Sequence, residues 1–521
     1  MSDNTTYKLS VSSNAILGIL FLALLTACAV NPVTGDREFM TVSVSDEIKM
    51  GTQNYAPMLQ SQGGVYDVDP ALSQYVQSIG QQLAAVSDAN LPYEFAVLNN
   101  SIPNAWALPG GKIAINRGLL TEIKSESELA AVLSHEIVHA AARHTAKQIS
   151  HSQLLQGLIV ATSVATNDSS YGDLAVGGAS VAAQLITTKY SRGAELEADK
   201  YGMRYMSRAG YDPQGAVVLQ ETFVRLSEGH NQDWLSGLFA SHPPSNERVN
   251  ANRKTALKLP AGGKQGTDSF RAAMQKTFEA KPAYDAYDEG RDALGEKDTE
   301  EALALANKAL DIFPAEAHFH ALRGDVRLMN KQYDMAVTNY NRAINRREGF
   351  FYYHVQRGVA RNELGQTDLA VTDLERSLDL LPTAPAHYTL GLIKKDRGQT
   401  DAAIEHFKVV AKSGGDYGEA AGEQLARLEL TSQPGNYVLR RCYAGENGRL
   451  VVSVRNDAPL AITGVQIQID YTDNAGRTQQ IRRNIGGRLE PGQVASADTG
   501  LGPYTGTDCP VRVIAARIAD D

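Results

Sequence analysis

Four glycines in register constrain this fold more than any other feature. Gly290, Gly324, Gly358 and Gly391 follow one another at intervals of 34, 34 and 33 residues. Twelve residues beyond each stand Ala302, Ala336, Ala370 and Ala403, and four further on Ala306, Tyr340, Leu374 and Phe407. Pro314 and Pro382 fall at repeat ends. A period of this length marks a supersecondary unit that cannot bury its apolar face alone, so the copies must stack. Small residues at the glycine and first alanine positions let the two helices of a unit approach closely. The larger residues at the next position are expected to pack the following repeat.

The period is that of tetratricopeptide repeats, and the reading is an α-solenoid of about four repeats over residues 280–431. Its groove suits extended peptides or partner helices, with Tyr352, Tyr353 and Arg357 read as exposed candidates for it or equally as solvated residues or inter-repeat contacts. Ser432-Gln433-Pro434-Gly435 then breaks the helical pattern. Residues 436–521 carry alternating runs such as Val465-Gln466-Ile467-Gln468-Ile469, separated by turn signals, and are expected to form a small C-terminal β-sandwich.

A chain of 521 residues is too long for one domain. Hydrophobic residues at 43% and charged residues at 21% exclude a mostly disordered chain. A net charge of -9 argues against nucleic acid as a partner. Only the N-terminus holds a long apolar run, Ala15 to Val30, behind a leader whose one lysine is Lys8. It is short for a spanning helix and fits a signal peptide. Its end, Leu25-Thr26-Ala27-Cys28, resembles a bacterial lipobox, which implies a lipoprotein signal peptide over 1–27 and lipidation of Cys28. Ala29, rather than aspartate, follows the cysteine, so the resemblance implies the periplasmic side of the outer membrane. That compartment permits disulfides, and pairing Cys442 with Cys509 would stabilise the C-terminal segment by about 4 kcal/mol.

Between Cys28 and the linker-like Gly262-Gly263-Lys264-Gln265-Gly266-Thr267 lies a mainly helical domain, residues 28–265, with a short strand-like stretch. Its chemistry centres on Ser134-His135-Glu136-Ile137-Val138-His139. Positions i and i+4 of a helix share a face, so His135 and His139 can address one ion, with Glu136 beside them as general base. Zinc in a catalytic site takes three protein ligands. Thr145 stands where a third histidine of a metzincin would fall, whereas Glu195, 56 residues after His139, can supply a carboxylate. Asp199, one turn on, can hold a ligand histidine from outside the coordination shell, and Glu197 is the weaker candidate. His144 and His151 match no ligand spacing and are read as structural. Leu154 to Ile186, rich in small and apolar residues, reads as a buried hairpin or as a lid over the cleft.

These residues resemble the HtpX/BepA-like zinc metallopeptidases, which are gluzincins. The resemblance runs through Asn104-Ala105-Trp106-Ala107-Leu108-Pro109-Gly110-Gly111, Ser134 to His139, Ser191-Arg192 with Glu195 to Asp199, and Ser241-His242-Pro243-Pro244 with Arg248. Asn31-Pro32-Val33-Thr34-Gly35 is similar to lipoprotein members, and the match covers about residues 28–260. It implies a zincin-type fold, one Zn2+ per chain on His135, His139 and Glu195, and Glu136 as base. It also implies a substrate-pairing edge strand from Asn104, Ala105, Trp106 and Ala107, and a catalytic role for His242 or Arg248 at the oxyanion. The implied activity is a zinc-dependent endopeptidase acting on misfolded or stalled envelope proteins, with the repeats reaching the outer-membrane assembly machinery. The alternative is a chaperone or assembly scaffold whose peptidase is latent. His242 lies in a loop that runs close to the zinc in this family, so a resting state with His242 as a fourth ligand is expected.

Overall fold

The structure, a computed structural model, describes residues 28–156, 175–176, 189–229, 241–472, 477–504 and 509–519. The expected signal peptide and most of the 154–186 stretch lie outside the described residues. Among the described residues, no helix is long and apolar enough to cross a membrane.

From Cys28 the chain runs through a short antiparallel pair, β1 (Cys28–Val30) and β2 (Arg37–Phe39), into α1 (Val44–Ser61) and α2 (Pro70–Ala84). A three-stranded sheet follows, made of β3 (Glu94–Leu98), β4 (Ala105–Leu108) and β5 (Lys112–Asn116). Its order is β3-β5-β4, with β3 parallel and β4 antiparallel to β5. Then come α3 (Arg117–Glu122), α4 (Glu126–Ala141), α5 (His144–Gln156), α6 (Arg192–Arg208), α7 (Gln214–Gly229) and α8 (Asn246–Ala256). Helix α4 is buried at every residue and forms the axis of this region. Ser125 caps its start: the Ser125 hydroxyl accepts from the Glu128 amide at 3.2 Å and donates to the Glu128 carboxylate at 3.0 Å.

The segment 262–267 is not the free linker its composition suggests. The first amides of any helix need acceptors. Gln265 and Gly266 supply them to α4, their carbonyls accepting from Ser127 (3.0 Å) and Glu126 (3.4 Å). Lys264 pairs with the buried Glu126 carboxylate. Beyond α9 (Thr267–Ala273), α10 (Gln275–Gly295) opens the repeats and is continuous in its apolar core with the preceding domain, through Ala283 and Tyr284.

The repeats continue as α11 (Thr299–Ile312), α12 (Ala317–Met329), α13 (Tyr333–Arg346), α14 (Phe351–Glu363), α15 (Thr367–Leu380), α16 (Ala384–Asp396), α17 (Thr400–Val410) and α18 (Gly415–Glu429). The glycine register has a direct cause. A Cβ on Gly324 would meet the Tyr340 ring at 2.7 Å, on Gly358 the Leu374 side chain at 2.8 Å, and on Gly391 the Phe407 ring at 2.6 Å. The large residues therefore fill their own repeat's glycine notch rather than the next repeat, as the sequence had suggested. Where that residue is small, at Ala306, Leu322 of the following helix covers Gly290 instead. Tyr352 and Tyr353 are buried, not exposed: their hydroxyls bond Asp325 (2.9 Å) and His318 (2.6 Å). Arg357 is held by Asp373.

The described chain forms two compact units that divide between Tyr353 and His354. The second ends in β6 (Val438–Ala444), β7 (Leu450–Asn456), β8 (Ile462–Thr472), β9 (Thr478–Ile485), β10 (Val494–Asp498) and β11 (Val511–Ile518). They make two antiparallel three-stranded sheets, ordered β10-β7-β6 and β11-β8-β9, around one core that includes Val452, Val454, Ile467 and Ile469. This is a small β-sandwich. A disulfide joins Cys442 on β6 to Cys509 just before β11.

Candidate metal centre

Helices α6 and α8, and the loop that leads into α8, bring their side chains to the motif on α4. Gly202 on α6 lies against the turn of α4 that carries the motif, where a Cβ would stand 3.1 Å from the Ser134 hydroxyl and 3.2 Å from the His135 amide. That close approach brings Glu195 and Asp199, two turns and one turn earlier on α6, beside His135 and His139. Ser191 starts α6 by accepting from the Ala194 amide, and Ser245 starts α8 by accepting from the Arg248 amide.

His135, His139, Glu195 and His242 each offer one ligand atom, all within 4.8 Å of one another, and all four residues are buried. The Nε2 atoms of His135 and His139 are 3.0 Å apart. His242 Nδ1 is 3.0 Å from Glu195 Oε1 and 3.3 Å from His135 Nε2. Three ring nitrogens and a carboxylate this close and this buried are a donor set for a divalent ion of borderline softness. Glu136 adjoins the cluster, its Oε1 3.7 Å from His242 Nε2 and its Oε2 buried with no hydrogen-bond partner among the described residues. A buried carboxylate oxygen without a donor is costly. A cavity of about 30 Å3 adjoins His135 and Glu136, walled by Met203, Met206 and Phe223, with room for a water molecule or two.

The ligand side chains are held from behind. Asp199 Oδ1 meets His135 Nδ1 at 3.0 Å, and Arg248 grips Asp199 with two bonds of 2.7 Å. Arg248 also meets Glu195 Oε2 at 2.8 Å. The expected oxyanion role of Arg248 therefore gives way to a positioning one, because its guanidinium is already committed to two carboxylates. Burial disfavours a charge on His135, but its bonds to Asp199 and Glu195 raise its pKa to about 10. Burial holds His139 well below the ordinary histidine range.

His139 has a second chain of partners that spacing did not reveal. Its Nδ1 lies 2.9 Å from His144 Nδ1, His144 Nε2 lies 3.4 Å from Glu197 Oε1, and Asn31 Nδ2 donates to the same oxygen at 3.1 Å. His144 reaches back because Arg143, between α4 and α5, takes a left-handed φ of 61°. This conformation is disfavoured for a side chain of that size. The buried Glu47 (2.6 Å) and the Val42 carbonyl (2.6 Å) pin the guanidinium in place. Tyr190 stacks on the His139 ring at 3.9 Å. Asn31 and Glu197 both fall within the motifs that carry the family resemblance, and their alignment with His144 is visible only in the folded chain.

Residues Ala105–Leu108 form β4 at the sheet edge, and all four are buried. Trp106 packs edge-on against Tyr55 at 6.2 Å. Asn104 Oδ1 and Trp106 Nε1 are buried without a hydrogen-bond partner among the described residues.

Residues 70–256 match the profile of Peptidase family M48. A "Beta-barrel assembly-enhancing protease" of Yersinia pestis is 33% identical over 242 residues, 45% of this chain and 49% of the relative. A "Mitochondrial metalloendopeptidase OMA1" of Schizosaccharomyces pombe is 34% identical over 241 residues, 44% of this chain and 66% of the relative. The chain thus spans about half to two thirds of the length of these relatives. Among solved structures, the Arabidopsis OM64 TPR domain is similar at 19% identity and a TM-score of 0.22, covering 23% of this chain and 98% of that one.

Proposed function

We propose, from the premise that the chain carries an M48 peptidase domain over residues 70–256, that this protein is a zinc-dependent endopeptidase acting on misfolded or stalled envelope proteins. The observation that carries this reading is the buried four-donor cluster beside an unpartnered glutamate oxygen. His135, His139 and Glu195 would hold the ion, which when bound supplies a Lewis acid for the scissile carbonyl and an attacking water. Glu136 takes the proton from that water as its oxygen bonds to the carbonyl carbon. It then delivers the proton to the amide nitrogen, the C–N bond breaks, and a carboxyl and an amine terminus result. Asp199 keeps His135 in the tautomer whose Nε2 faces the cluster. A substrate strand added to β4, at Asn104 to Ala107, would select extended chains with little regard to side chain.

Lipidation at Cys28 and a position on the periplasmic side of the outer membrane are part of the proposal, supported by the lipobox-like leader and by the bacterial relative's name. The tetratricopeptide repeats are the module for envelope substrates or an outer-membrane assembly partner. One observation favours a latent form of the same enzyme. The His242 ligand atom lies within 4.8 Å of those of His135, His139 and Glu195, and an ion held by all four would make a closed site of the structural kind rather than an open catalytic one. The alternative of an assembly scaffold with occasional proteolysis shares that resting state. Incubating the purified protein with an unfolded polypeptide, with and without a chelator, tests the peptidase. Cleavage that stops on chelation and returns with zinc supports it, and cleavage indifferent to the chelator overturns it.

A further inference from the structure

The fourth repeat departs from the two before it at one corner. In the second and third repeats an arginine stands just before the register glycine and reaches the residue fifteen beyond that glycine, on the partner helix. Arg323 on α12 donates to Asn339 on α13 at 2.7 Å. Arg357 on α14 donates to both oxygens of Asp373 on α15, at 2.8 and 2.6 Å. In the fourth repeat Leu390 and His406 hold these two places. Leu390 is buried and brings no donor, so His406 on α17 meets a different group. His387, one turn before Gly391 on α16, sets its Nδ1 2.9 Å from His406 Nδ1. Both rings are half-buried, within reach of solvent.

The exchange replaces a guanidinium and its acceptor by two imidazoles. Each neutral imidazole has one N–H and one lone pair. With a proton on one Nδ1 the pair makes a single hydrogen bond. When that proton moves to Nε2 of the same ring, two lone pairs converge on one point. The spacing then selects a geometry. At metal–nitrogen distances of about 2.0–2.1 Å, nitrogens 2.9 Å apart subtend about 90° at the ion, whereas a tetrahedral angle would set them about 3.3 Å apart. Imidazole donors at a right angle suit the tetragonal coordination of Cu2+, which such donors also bind more tightly than the other divalent ions of its row. Lys394 and the exposed Glu375 on α15 act on the His406 ring with opposite signs.

We propose that His387 and His406 form a second metal site, made of none of the motif's residues, that takes one Cu2+ ion per chain through both Nδ1 atoms. The ion joins α16 to α17 where an arginine does so in the second and third repeats, and water fills its remaining positions. This goes beyond the peptidase reading and rests on none of it.

Electron paramagnetic resonance of the zinc-loaded, full-length protein titrated with CuCl2 tests the site, with zinc release followed in the same samples. The first equivalent of Cu2+ is expected to bind without releasing zinc and to show coupling to two nitrogens. Its affinity should fall in His387→Phe and in His406→Phe by at least the tenfold or so that loss of a mere outer-sphere partner costs a metal site. Melting curves report whether each variant is folded. Both variants leave the motif intact, so the difference from wild type is interpretable even if the peptidase reading fails. A second measurement needs no variant: saturating Cu2+ should slow diethylpyrocarbonate modification of His387 and His406, read by peptide mass spectrometry. Equal copper affinity in the folded variants, copper that enters only as zinc leaves, or unchanged modification of both histidines overturns the site.

Discussion

His144→Phe should weaken zinc binding without removing a ligand, and the hydrogen-bond chain fixes why. If His139 gives its Nε2 lone pair to the ion, its Nδ1 carries the proton and needs an acceptor. His144 Nδ1 stands 2.9 Å away, which leaves the His144 proton on Nε2, facing Glu197 Oε1 at 3.4 Å. Burial pushes the Glu197 carboxyl up, but its bonds to His144 and Asn31 hold it below the ordinary range, so it stays an acceptor. No other proton assignment satisfies every link. Phenylalanine keeps the ring and deletes the acceptor, leaving an unmet donor on a residue only 1% exposed. Such a loss costs about 1–3 kcal/mol, or about 5- to 150-fold in affinity. Asn31→Ala acts two bonds further out, on a Glu197 side chain 23% exposed that water can reach, and should cost less than about tenfold. Competition between the metal-free protein and a chromophoric chelator measures both, with exposed His151→Ala as an unchanged reference. Wild-type affinity in His144→Phe, or an equal loss in Asn31→Ala, would refute the relay.

Three other outcomes follow from the same structure. His242→Ala should raise cleavage of an unfolded polypeptide if His242 holds the resting site closed; a fall of about 100-fold in initial rate would mean that it stabilises the oxyanion instead. Gly324→Ala drives a methyl to 2.7 Å from the Tyr340 ring, which is tethered to Asp325 at 2.7 Å, and should cost about 1–3 kcal/mol in urea unfolding; an unchanged midpoint would contradict the notch-filling account. Burial raises the Asp288 carboxyl to about 6, against the pull of Arg117, so the folded chain binds its proton more tightly than the unfolded chain does. That contribution is present below about pH 4 and lost as pH rises through 6. Asp288→Asn should therefore raise the Tm at pH 7 and leave it unchanged near pH 4, and thermal melts at the two pH values decide it.

What the sequence made legible follows a physical divide. The repeats could be read because three of the four glycines answer to a ring or a leucine at a fixed distance along the same helical pair, as Gly391 answers to Phe407. His135, His139 and Glu195 could be read because helical spacing limits which side chains reach one ion. The chain through His144, Glu197 and Asn31 could not. It depends on a left-handed arginine, where no glycine or asparagine marks the turn, and on contacts across 53 and 166 residues. Arg248 was legible as part of the site but not in its role, since only the packed structure shows two carboxylates claiming its guanidinium. The 262–267 segment looked like a linker because its glycines were visible and its hydrogen bonds to α4 were not.

The central claim is that Glu136 moves the proton for a metal held by its neighbours. Its most direct test is a paired measurement on one preparation of Glu136→Gln: zinc content per chain and the rate of cleavage of an unfolded polypeptide. The account predicts about one zinc per chain, as in the wild type, with cleavage reduced at least about 100-fold. Wild-type cleavage by the zinc-loaded variant would contradict it.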